Sequence, residues 1–528
     1  MSDNKNLLLA ILLSAIILLV WNLLYELPRS KIEQENLATQ QKLSQDEGQS
    51  LATEDAELFD TENIADNVVE EEDTSLNRDK ALSETQRVII NTSSLSGSIS
   101  LEGAAIDDIT LNNFHTAVEK ESPNIVLLSP QKTESPYYAR TSWWPHTNNQ
   151  KMVSVPMSDS TWKVVGNQTL TTTNPVNLEW NNGEGIIFKK QIAIDDAYMF
   201  KIQDSVTNNT SIPITLYPYG RIVREKAPPV LGFFILHEGF LGLFGEGDDV
   251  GIKEKDYDDI KEEEYEEKKI NGGWLGITDK YWLTALIPPK NVYNAKFSYK
   301  NKYIAHYQSA ELTIKPQQTE NVESYFFAGA KEIDALDFYA TKYNINRFDF
   351  AVDWGWLKFL TEPLFYFVRY LDNLCGNFGY AIVLMTVALR LVLFPLANYS
   401  FKSMARMKKL QPEMKRIRDK YKEDRAKQQQ ELMALYKKEK VNPMSGCLPI
   451  LLQIPIFFAV YKMLFVSIEM RHAPFIGWIK DLSAADPTSI FNLFGLIPWD
   501  PPSFLMIGLW PIFMGLSMYV TQKLNPTP

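Results

Sequence analysis

A single arginine lies within an otherwise apolar run from Tyr380 to Ala397. Apart from Thr386 and Arg390 this run holds apolar and aromatic side chains, and its length is close to the ~20 residues that a helix needs to cross a bilayer. A charge at membrane depth costs about 2.5–3.5 kcal/mol on insertion scales, and it is usually kept only where it faces water, a partner or a substrate. The run therefore predicts a membrane-spanning helix whose arginine does not simply face lipid.

Three further apolar runs have a similar length, and with the first they predict four membrane spans: Leu7–Tyr25, Gly379–Asn398, Cys447–Phe465 and Phe504–Thr521. The run at Leu7–Tyr25 is longer than the apolar core of a signal peptide, and no small-residue cleavage motif follows it. We therefore expect it to be a retained anchor. The two cysteines, Cys375 and Cys447, are too few for a disulfide framework, and the predicted topology places them at opposite membrane faces.

The distribution of charge predicts the orientation of these spans. The chain carries a net charge of −12, but between Tyr399 and Lys440 14 Lys/Arg stand against 6 Asp/Glu, so this segment is +8 and the remainder −20. The segment Trp354–Leu374 is aromatic but charged, with Asp353 as a plausible N-cap, and is typical of a helix that lies in the membrane interface. If it crossed instead, the +8 segment would be external, against the positive-inside rule. The N-terminus is thus predicted to be cytoplasmic, and no DNA partner is expected.

The long middle of the chain predicts an external β domain. Residues from Arg29 to about Ala81 are acidic and polar with few apolar side chains, which is typical of a flexible tether. From about Thr85 to Ala330 short alternating segments recur between turn residues, a pattern that favours a β-sandwich. We expect a solvated loop at Lys253–Lys269, a strand entry with packed aromatic residues at Gly272–Trp282, and a short helix at Lys331–Tyr343.

The sequence does not support an enzyme. Its five histidines, His115, His146, His237, His306 and His472, form no metal-type pair, and the chain has neither a nucleophile elbow nor a phosphate-binding loop. No catalytic residue, metal or cofactor is predicted.

The basic segment after the arginine-containing run predicts a helical hairpin. Its first helix carries one apolar stripe, in which the residues recur at helical spacing: Met404, Met407, Leu410, Met414, Ile417 and Tyr421. A second helix is expected to start near Asp424. The stripes can pack against each other, or the flexible methionines can contact varied apolar clients. The basic faces can contact anionic lipid or ribosomal RNA.

Two interpretations of Arg390 remain open from the residues alone. The side chain can snorkel to the cytoplasmic surface or pair with a helix carbonyl. Alternatively it lines a wet groove, because Thr386 lies one helical turn before it on the same face, and Gln453 and Ser517 supply polar groups from two other spans.

Four stretches closely resemble the YidC/Oxa-type membrane protein insertases, in their Gram-negative YidC form. They are VDWGWLKFLTEPLF (Val352–Phe365), LRLVLFPLANYSFKSMARMKKLQPEMKRIR (Leu389–Arg418), ELMALYKKEKVNPMSGCLPILLQIPIFFAVYKML (Glu431–Leu464) and APFIGWIKDLSAADP (Ala473–Pro487). The resemblance extends over nearly the whole chain.

The resemblance implies a fold and a mechanism. The fold would be a membrane α-helical core with a large all-β periplasmic domain, a β-supersandwich related to sugar mutarotases, and a cytoplasmic helical hairpin. A hydrophilic groove in the inner leaflet would hold Thr386, Arg390 and Gln453, and a greasy wall along which clients slide would include Pro449, Ile454 and Pro455. Met404, Met407, Leu410 and Met414 of the hairpin would contact clients.

The implied function is insertion and chaperoning of nascent inner-membrane proteins, alone or with the Sec translocon, in the inner membrane of a Gram-negative bacterium. Nascent membrane proteins, the Sec translocon, the ribosome and anionic lipids are the expected partners. Gram-negative members carry two more spans after the one that ends near Gln522, so we expect the last two transmembrane helices to be missing here.

The predicted organisation divides the chain as follows: an N-terminal transmembrane anchor (1–28), an acidic linker (29–84), the periplasmic β domain (85–345), an interfacial amphipathic helix (346–376), a transmembrane helix with Arg390 (377–398), the basic hairpin (399–443), a transmembrane helix (444–467), a periplasmic loop (468–502), a transmembrane helix (503–522) and a cytoplasmic tail (523–528).

Two other functions are alternatives. The chain could be an anion or solute transporter that uses Arg390, although no inverted repeat supports this. It could also be an envelope carbohydrate-binding protein, which would leave Arg390 and the hairpin unexplained.

Overall fold

The computed structural model describes residues 76–119, 121–146, 153–229, 236–245, 251–439, 441, 448–484, 486, 489–495, 497, 499 and 507–524. The predicted anchor (1–28) and most of the predicted linker (29–84) lie outside the described residues. The description begins within that linker, at Leu76, whose backbone N–H donates to Lys132 O at 2.9 Å. A short helix, α1 (Arg78–Ser83), follows, and Arg78 pairs with Asp108 of the β domain.

The β domain consists of two large sheets, with strands numbered in chain order. Sheet I contains β1 (Arg87–Asn91), β2 (Leu95–Ser100), β3 (Ile106–His115), β4 (Asn124–Leu128), β5 (Tyr137–Pro145), β7 (Thr169–Leu170), β11 (Ile214–Arg224), β14 (Tyr265–Ile270), β17 (Tyr293–Tyr299), β18 (Tyr303–Ser309) and β19 (Leu312–Ile314). Sheet II contains β6 (Lys163–Val165), β8 (Val176–Asn181), β9 (Ile186–Ile194), β10 (Met199–Asn208), β12 (Gly239–Phe244), β13 (Gly251–Asp256), β15 (Gly273–Thr278), β16 (Trp282–Ile287) and β20 (Gln318–Ala330).

The order of the strands shows how the chain moves between the sheets. Sheet I runs β14-β17-β18-β11-β5-β3-β2-β1-β7, with β19 on β11 and β4 on β3. Sheet II runs β13-β12-β15-β16-β20-β10-β9-β8-β6. Among the strands named here, the pairings are antiparallel except for β1 with β7, and an isolated parallel bridge joins Leu76 to Thr133. Strands such as β9 and β18 bury alternate residues, because successive side chains point to opposite faces, whereas β5 and β12 are buried along almost their whole length. The prediction of a large all-β domain is confirmed.

Polar contacts join the two sheets inside the domain. Lys190 of β9 lies at an inward position and is 2% exposed. Its Nζ donates to Asp204 Oδ1 at 2.6 Å in sheet II and to Thr141 Oγ1 at 2.6 Å in sheet I. Burial lowers the pKa of Lys190, and the Asp204 carboxylate opposes this shift. The buried charge is therefore paired and hydrogen-bonded, as a charge in a core must be.

The prediction of a solvated loop at Lys253–Lys269 is wrong. This segment contains most of β13, a short helix α2 (Tyr257–Glu262) and most of β14. The prediction failed because the charged side chains of this segment lie on the exposed sides of strands at the ends of both sheets. Tyr257 and Ile260 are buried beneath them. The prediction at Gly272–Trp282 is confirmed for packing, since Trp274 of β15 is 0% exposed.

Helices follow the β domain. The short helix predicted at Lys331–Tyr343 is confirmed as α3 (Ile333–Lys342). It packs on the sandwich, and Tyr339 Oη donates to Asp195 Oδ1 at 3.0 Å. The remaining helices in the described part of the chain are α4 (Lys358–Cys375), α5 (Phe378–Lys420), α6 (Arg425–Lys438), α7 (Leu448–Val466) and α8 (Leu509–Leu524), with short 3-10 turns at Phe348–Ala351, Ile468–Met470 and Ile490–Gly495.

Candidate functional site

Arg390 lies on α5, a continuous helix that includes both the predicted span and the first hairpin helix. Asn377 caps its N-terminus by accepting from the backbone N–H of Tyr380 at 3.1 Å. By length and composition, α5 is the one helix in the described residues that could cross a membrane. The predicted boundary between span and hairpin, at residues 398 and 399, lies inside this helix.

The Arg390 side chain is exposed, and it makes no hydrogen bond or ion pair with another described residue. Thr386 lies one turn earlier, is also exposed, and donates from Oγ1 to Ile382 O at 2.9 Å. The hydroxyl proton of Thr386 is therefore used in a hydrogen bond within its own helix. The two polar side chains therefore share one helix face, as the spacing predicted.

The other predicted groove and wall residues lie on α7. Gln453, Pro449 and Pro455 are half-buried, and Ile454 is 52% exposed. Pro455 is inside the helix, where it has no N–H to donate to the carbonyl of Leu451. At 100° per residue, Ile454 and Pro455 lie about 100° and 200° around α7 from Gln453, so the amide and these two apolar residues face different directions.

A buried core holds these helices together. Helix α4 packs against both α5 and α7, which also contact each other. Phe365 of α4, Met385 of α5 and Met463 of α7 are each 0% exposed and belong to one buried cluster. The structure therefore places Thr386 and Arg390 on a helix next to the one that carries Gln453, but no hydrogen bond recorded among the described residues joins the two sets.

The hairpin residues differ in exposure. Met404 is 38% exposed, Met407 and Leu410 are half-buried, and Met414 is 8% exposed. The buried methionine packs against α6, where the hydroxyl of Tyr436 lies 3.8 Å from its sulfur. The second hairpin helix begins where predicted, since Asp424 accepts from the backbone N–H of Lys427 at 3.0 Å as the N-cap of α6. The apolar stripe of α5 thus packs against α6 near Met414 and is exposed at its first residue, Met404.

Helix α4 presents a buried stripe and an exposed aromatic face. Leu364, Phe365 and Val368 are buried, whereas Trp356 just before the helix is 81% exposed and Phe359 is 74% exposed. On its polar side Arg369 pairs with Asp334 of α3, and Tyr366 Oη donates to Asp337 Oδ2 at 2.7 Å. The helix is amphipathic, as the sequence predicted.

The prediction that Asp353 caps this helix is wrong. Helix α4 begins at Lys358, after Leu357, and Gly355 before it has a left-handed φ of 67°. The Asp353 carboxylate instead accepts from Lys462 Nζ at 2.6 Å and from the backbone N–H of His237 at 3.1 Å.

Lys462 is a charged residue of α7 that the sequence reasoning missed. It is the one charge in the sequence of that helix, and it is 9% exposed. Like Arg390, it is a charge within an apolar run, and such a charge needs a partner.

Two buried groups outside the helices have shifted pKa values. Burial raises the pKa of Glu469, after α7, to about 7. Burial lowers the pKa of Lys331, at the start of the link to α3, to about 8, and the nearby carboxylates of Asp279 and Asp353 oppose that shift. Among the described residues, no group of three or more His, Cys, Asp or Glu side chains is arranged to hold a metal ion.

Two family models match the chain. The model described as the YidC periplasmic domain matches residues 87–367, and the model described as the 60Kd inner membrane protein matches residues 370–528. The border between them lies within α4, after the last strand of the β domain and the short helix α3.

Full-length similarity is equally clear. The chain is 45% identical over 528 residues to a protein of Pelagibacter ubique named Membrane protein insertase YidC, with 100% of this chain and 90% of the relative covered. It is 43% identical over 544 residues to a protein of Brucella suis with the same name, with 100% and 88% covered.

A solved structure described as an active YidC insertase with the first transmembrane domain resolved is 18% identical. The match covers 82% of this chain and 87% of that chain with a TM-score of 0.29, too low to establish a shared arrangement. The relatives carry the name of an insertase, which agrees with the prediction that the chain is not an enzyme.

Proposed function

Because the chain belongs to the family of the membrane protein insertase YidC, it is an inner-membrane insertase with a periplasmic domain, and we propose that its clients enter through a hydrophilic groove formed by Thr386, Arg390 and Gln453. In this groove the polar part of a nascent membrane protein is held briefly, while its apolar segment passes into lipid.

The exposed, unpaired guanidinium of Arg390 carries this proposal. Within the described residues it has no ion-pair partner, yet it lies in the run Tyr380–Ala397, whose other side chains are apolar or aromatic except for Thr386. Water or a client must therefore solvate it if α5 spans the membrane, since a lipid-facing charge is costly. A fixed cation at that depth attracts the acidic segments of clients, and water around it shortens the apolar distance that they must cross.

The surface of α7 supports a sliding wall beside the groove. Ile454 offers exposed apolar surface, Pro449 lies about one turn before Gln453 on the same side of α7, and Pro455 lies about one and two-thirds turns after Pro449. A client helix can contact the apolar part of this wall while its polar residues remain near Gln453 and Arg390.

The hairpin is proposed to receive clients at the cytoplasmic side. Met404 is exposed at the open start of the stripe, and Met407 and Leu410 continue it with half-buried apolar surface. Methionine adapts to differently shaped apolar partners. The basic side chains around them suit contact with the ribosome and with anionic lipids.

A multi-pass topology follows from the same proposal. The N-terminus and the basic hairpin are cytoplasmic and the β domain is periplasmic, because the net charge of +8 at Tyr399–Lys440 favours the inside. The aromatic face before and along α4, with Trp356 and Phe359, lies in the outer interface. Cooperation with the Sec translocon and a chaperone role complete the proposed function.

Photo-cross-linking of stalled nascent chains tests the groove. A cross-linker at Thr386, Gln453 or Ile454 of the membrane-embedded protein is expected to capture a nascent membrane protein. A cross-linker at Val392 is the matched control, because this residue is 75% exposed and lies about 200° around α5 from Arg390. Capture at Val392 alone, or at none of the positions, would refute the groove.

The charge of Arg390 is tested by substitution. We expect Arg390→Ala to reduce the insertion of clients with acidic exported segments by about tenfold or more, since one charge pair in a partly solvated site is worth one to several kcal/mol. Arg390→Lys keeps the charge and should retain much of the activity. Equal losses for acidic and uncharged clients would exclude electrostatic attraction.

A further inference from the structure

Lys462 differs from Arg390 in being paired at the end of an apolar helix. The residues around it on α7 form a buried stripe in which Ala459 and Met463 are 0% exposed and Val466 is 4% exposed. Lys462 is within this stripe, and its side chain is 11% exposed. A cation in such a position is stable only with a hydrogen-bonded counter-charge.

Asp353 provides that counter-charge and is itself held from three directions. Its Oδ2 accepts from Lys462 Nζ at 2.6 Å and from the backbone N–H of His237, just before β12, at 3.1 Å. Its Oδ1 accepts from the backbone N–H of Gly355 at 3.0 Å. One carboxylate therefore joins α7, the β domain and the turn that leads into α4.

The fit around Lys462 is close. Gly355 lies against its side chain, since a Cβ on this glycine would be 3.4 Å from Lys462 Cε. Beyond the helix end, Arg471 donates to His115 O in the β domain, and Lys280 Nζ lies 3.9 Å from the ring centre of Phe465. These contacts also tie the end of α7 to the sandwich. Of the three polar contacts described here, the ion pair is the one that involves a side chain of the buried stripe.

The position of Lys462 on α7 fixes the direction of Gln453. Nine residues separate them, and at 3.6 residues per turn they lie about 180° apart around the helix axis. A contact that holds Lys462 towards Asp353 therefore directs Gln453 to the opposite side of α7.

We propose that Lys462 and Asp353 form a latch that sets the rotation of α7 against the β domain, and so directs Gln453 into the groove. This inference rests on the proposed function, because it assigns positioning residues to that same groove. The β domain thereby contributes to the geometry of insertion without touching the client.

The latch is tested by cross-linking from three successive positions of α7 in the full chain. Leu452 is 45% exposed, Ile454 is 52% exposed, and Gln453 lies between them, so the ratio of client capture from the three reports the rotation of the helix. In the double variant Asp353→Asn with Lys462→Met we expect this ratio to change by about two- to thirtyfold, the range of coupling through packed networks. Lys462→Arg keeps the ion pair and should keep the ratio.

Thermal unfolding distinguishes a role of the Lys462–Asp353 pair in positioning α7 from a contribution of the pair to stability. Asp353→Asn alone removes the carboxylate charge beside a buried cation, and its Tm should fall by about 5 °C or more. The double variant removes both charges and should recover most of the Tm while its capture ratio stays altered. Lys201→Met is the control, because it removes an exposed pair with Glu323, 2.7 Å long, from the β domain.

Two results overturn the latch. In the first, neither Asp353→Asn nor the double variant changes the capture ratio of the unsubstituted protein. In the second, Asp353→Asn changes the ratio, but the double variant restores both the ratio and the Tm, which would make the pair a stability element only. If the unsubstituted protein captures no client from any of the three positions, the groove itself fails, and that outcome is distinct from both.

Discussion

Arg390 and Lys462 are cations in apolar stretches of two neighbouring helices, but their surroundings differ. Lys462 is buried and bound to Asp353, whereas Arg390 is exposed and has no described partner. When one member of a buried ion pair is removed, the folded protein is strongly destabilised. An unpaired exposed cation instead remains available to a ligand, so we assign positioning to Lys462 and client attraction to Arg390.

Glu469 is a third ionisable residue whose surroundings determine its behaviour. Its Oε2 atom is buried and has no hydrogen-bond partner among the described residues. Burial raises its pKa to about 7, Arg369 opposes this shift, and the carboxylates of Glu332 and Asp334 add to it. In the folded protein the carboxyl therefore keeps its proton over a pH range in which the unfolded chain ionises.

Substitution of Glu469 is predicted to change the pH dependence of stability. Because the folded pKa is raised above the unfolded value of 4.5, the free energy of unfolding falls as pH rises from about 4.5 to 7, by about 1–3 kcal/mol. Glu469→Gln removes this term, so the variant should gain Tm relative to the parent at pH 8 but not at pH 4. Thermal unfolding in detergent measures this, with the exposed Glu311→Gln as control. A parallel pH profile for both proteins would contradict the assignment.

At the scale of elements, the hairpin combines a packed end with an open end. Met414 and Leu435 are each 8% exposed and close the contact between α5 and α6, while Met404 is 38% exposed at the start of the stripe. The two interpretations left open by the sequence therefore apply to different residues. Packing accounts for Met414, and client contact is proposed for Met404.

Two alanine variants distinguish these roles. Met414→Ala should open the hairpin, because truncating a buried methionine costs about 2–5 kcal/mol in a well-packed site. Faster amide hydrogen exchange across α6 (Arg425–Lys438) is the expected observation. Met404→Ala should leave that exchange unchanged but reduce cross-linking of nascent chains to the hairpin. Faster exchange in both variants, or in neither, would show that the division is wrong.

The elements also show which features the sequence can predict. Alternating apolar residues identified the β domain, and Asp424 identified the start of α6, because both depend on neighbours in the chain. The capping role expected of Asp353 failed because a residue 109 positions away, Lys462, binds its carboxylate. The loop expected at Lys253–Lys269 failed because exposed edge strands tolerate charge. Whether Thr386, Arg390 and Gln453 form one groove stays a prediction.

At the scale of the whole molecule, charge and exposure predict two accessible sides. Lys480, after α7, and Lys422, at the tip of the hairpin, are both exposed. The proposed topology places the first in the periplasm and the second in the cytoplasm, because the hairpin carries the concentrated positive charge.

Labelling of single cysteines tests this topology. In a background with Cys375→Ser and Cys447→Ser, we expect an impermeant maleimide to label Lys480→Cys in intact spheroplasts and Lys422→Cys only after lysis. Labelling of Lys422→Cys before lysis would reverse the orientation. Equal labelling of both would show that the membrane does not separate them.

Helix α5 has a mechanical consequence that follows from its length and from its prolines. Its 43 residues extend about 65 Å at 1.5 Å per residue, roughly twice the ~30 Å hydrocarbon core of a bilayer. The part that carries Arg390 and the part that carries Met414 belong to this one helix, but Pro395 and Pro412 lie between them, and each removes a backbone hydrogen bond. We therefore expect a ribosome or nascent chain that tilts the proposed cytoplasmic hairpin to bend the helix at these prolines before it moves Arg390.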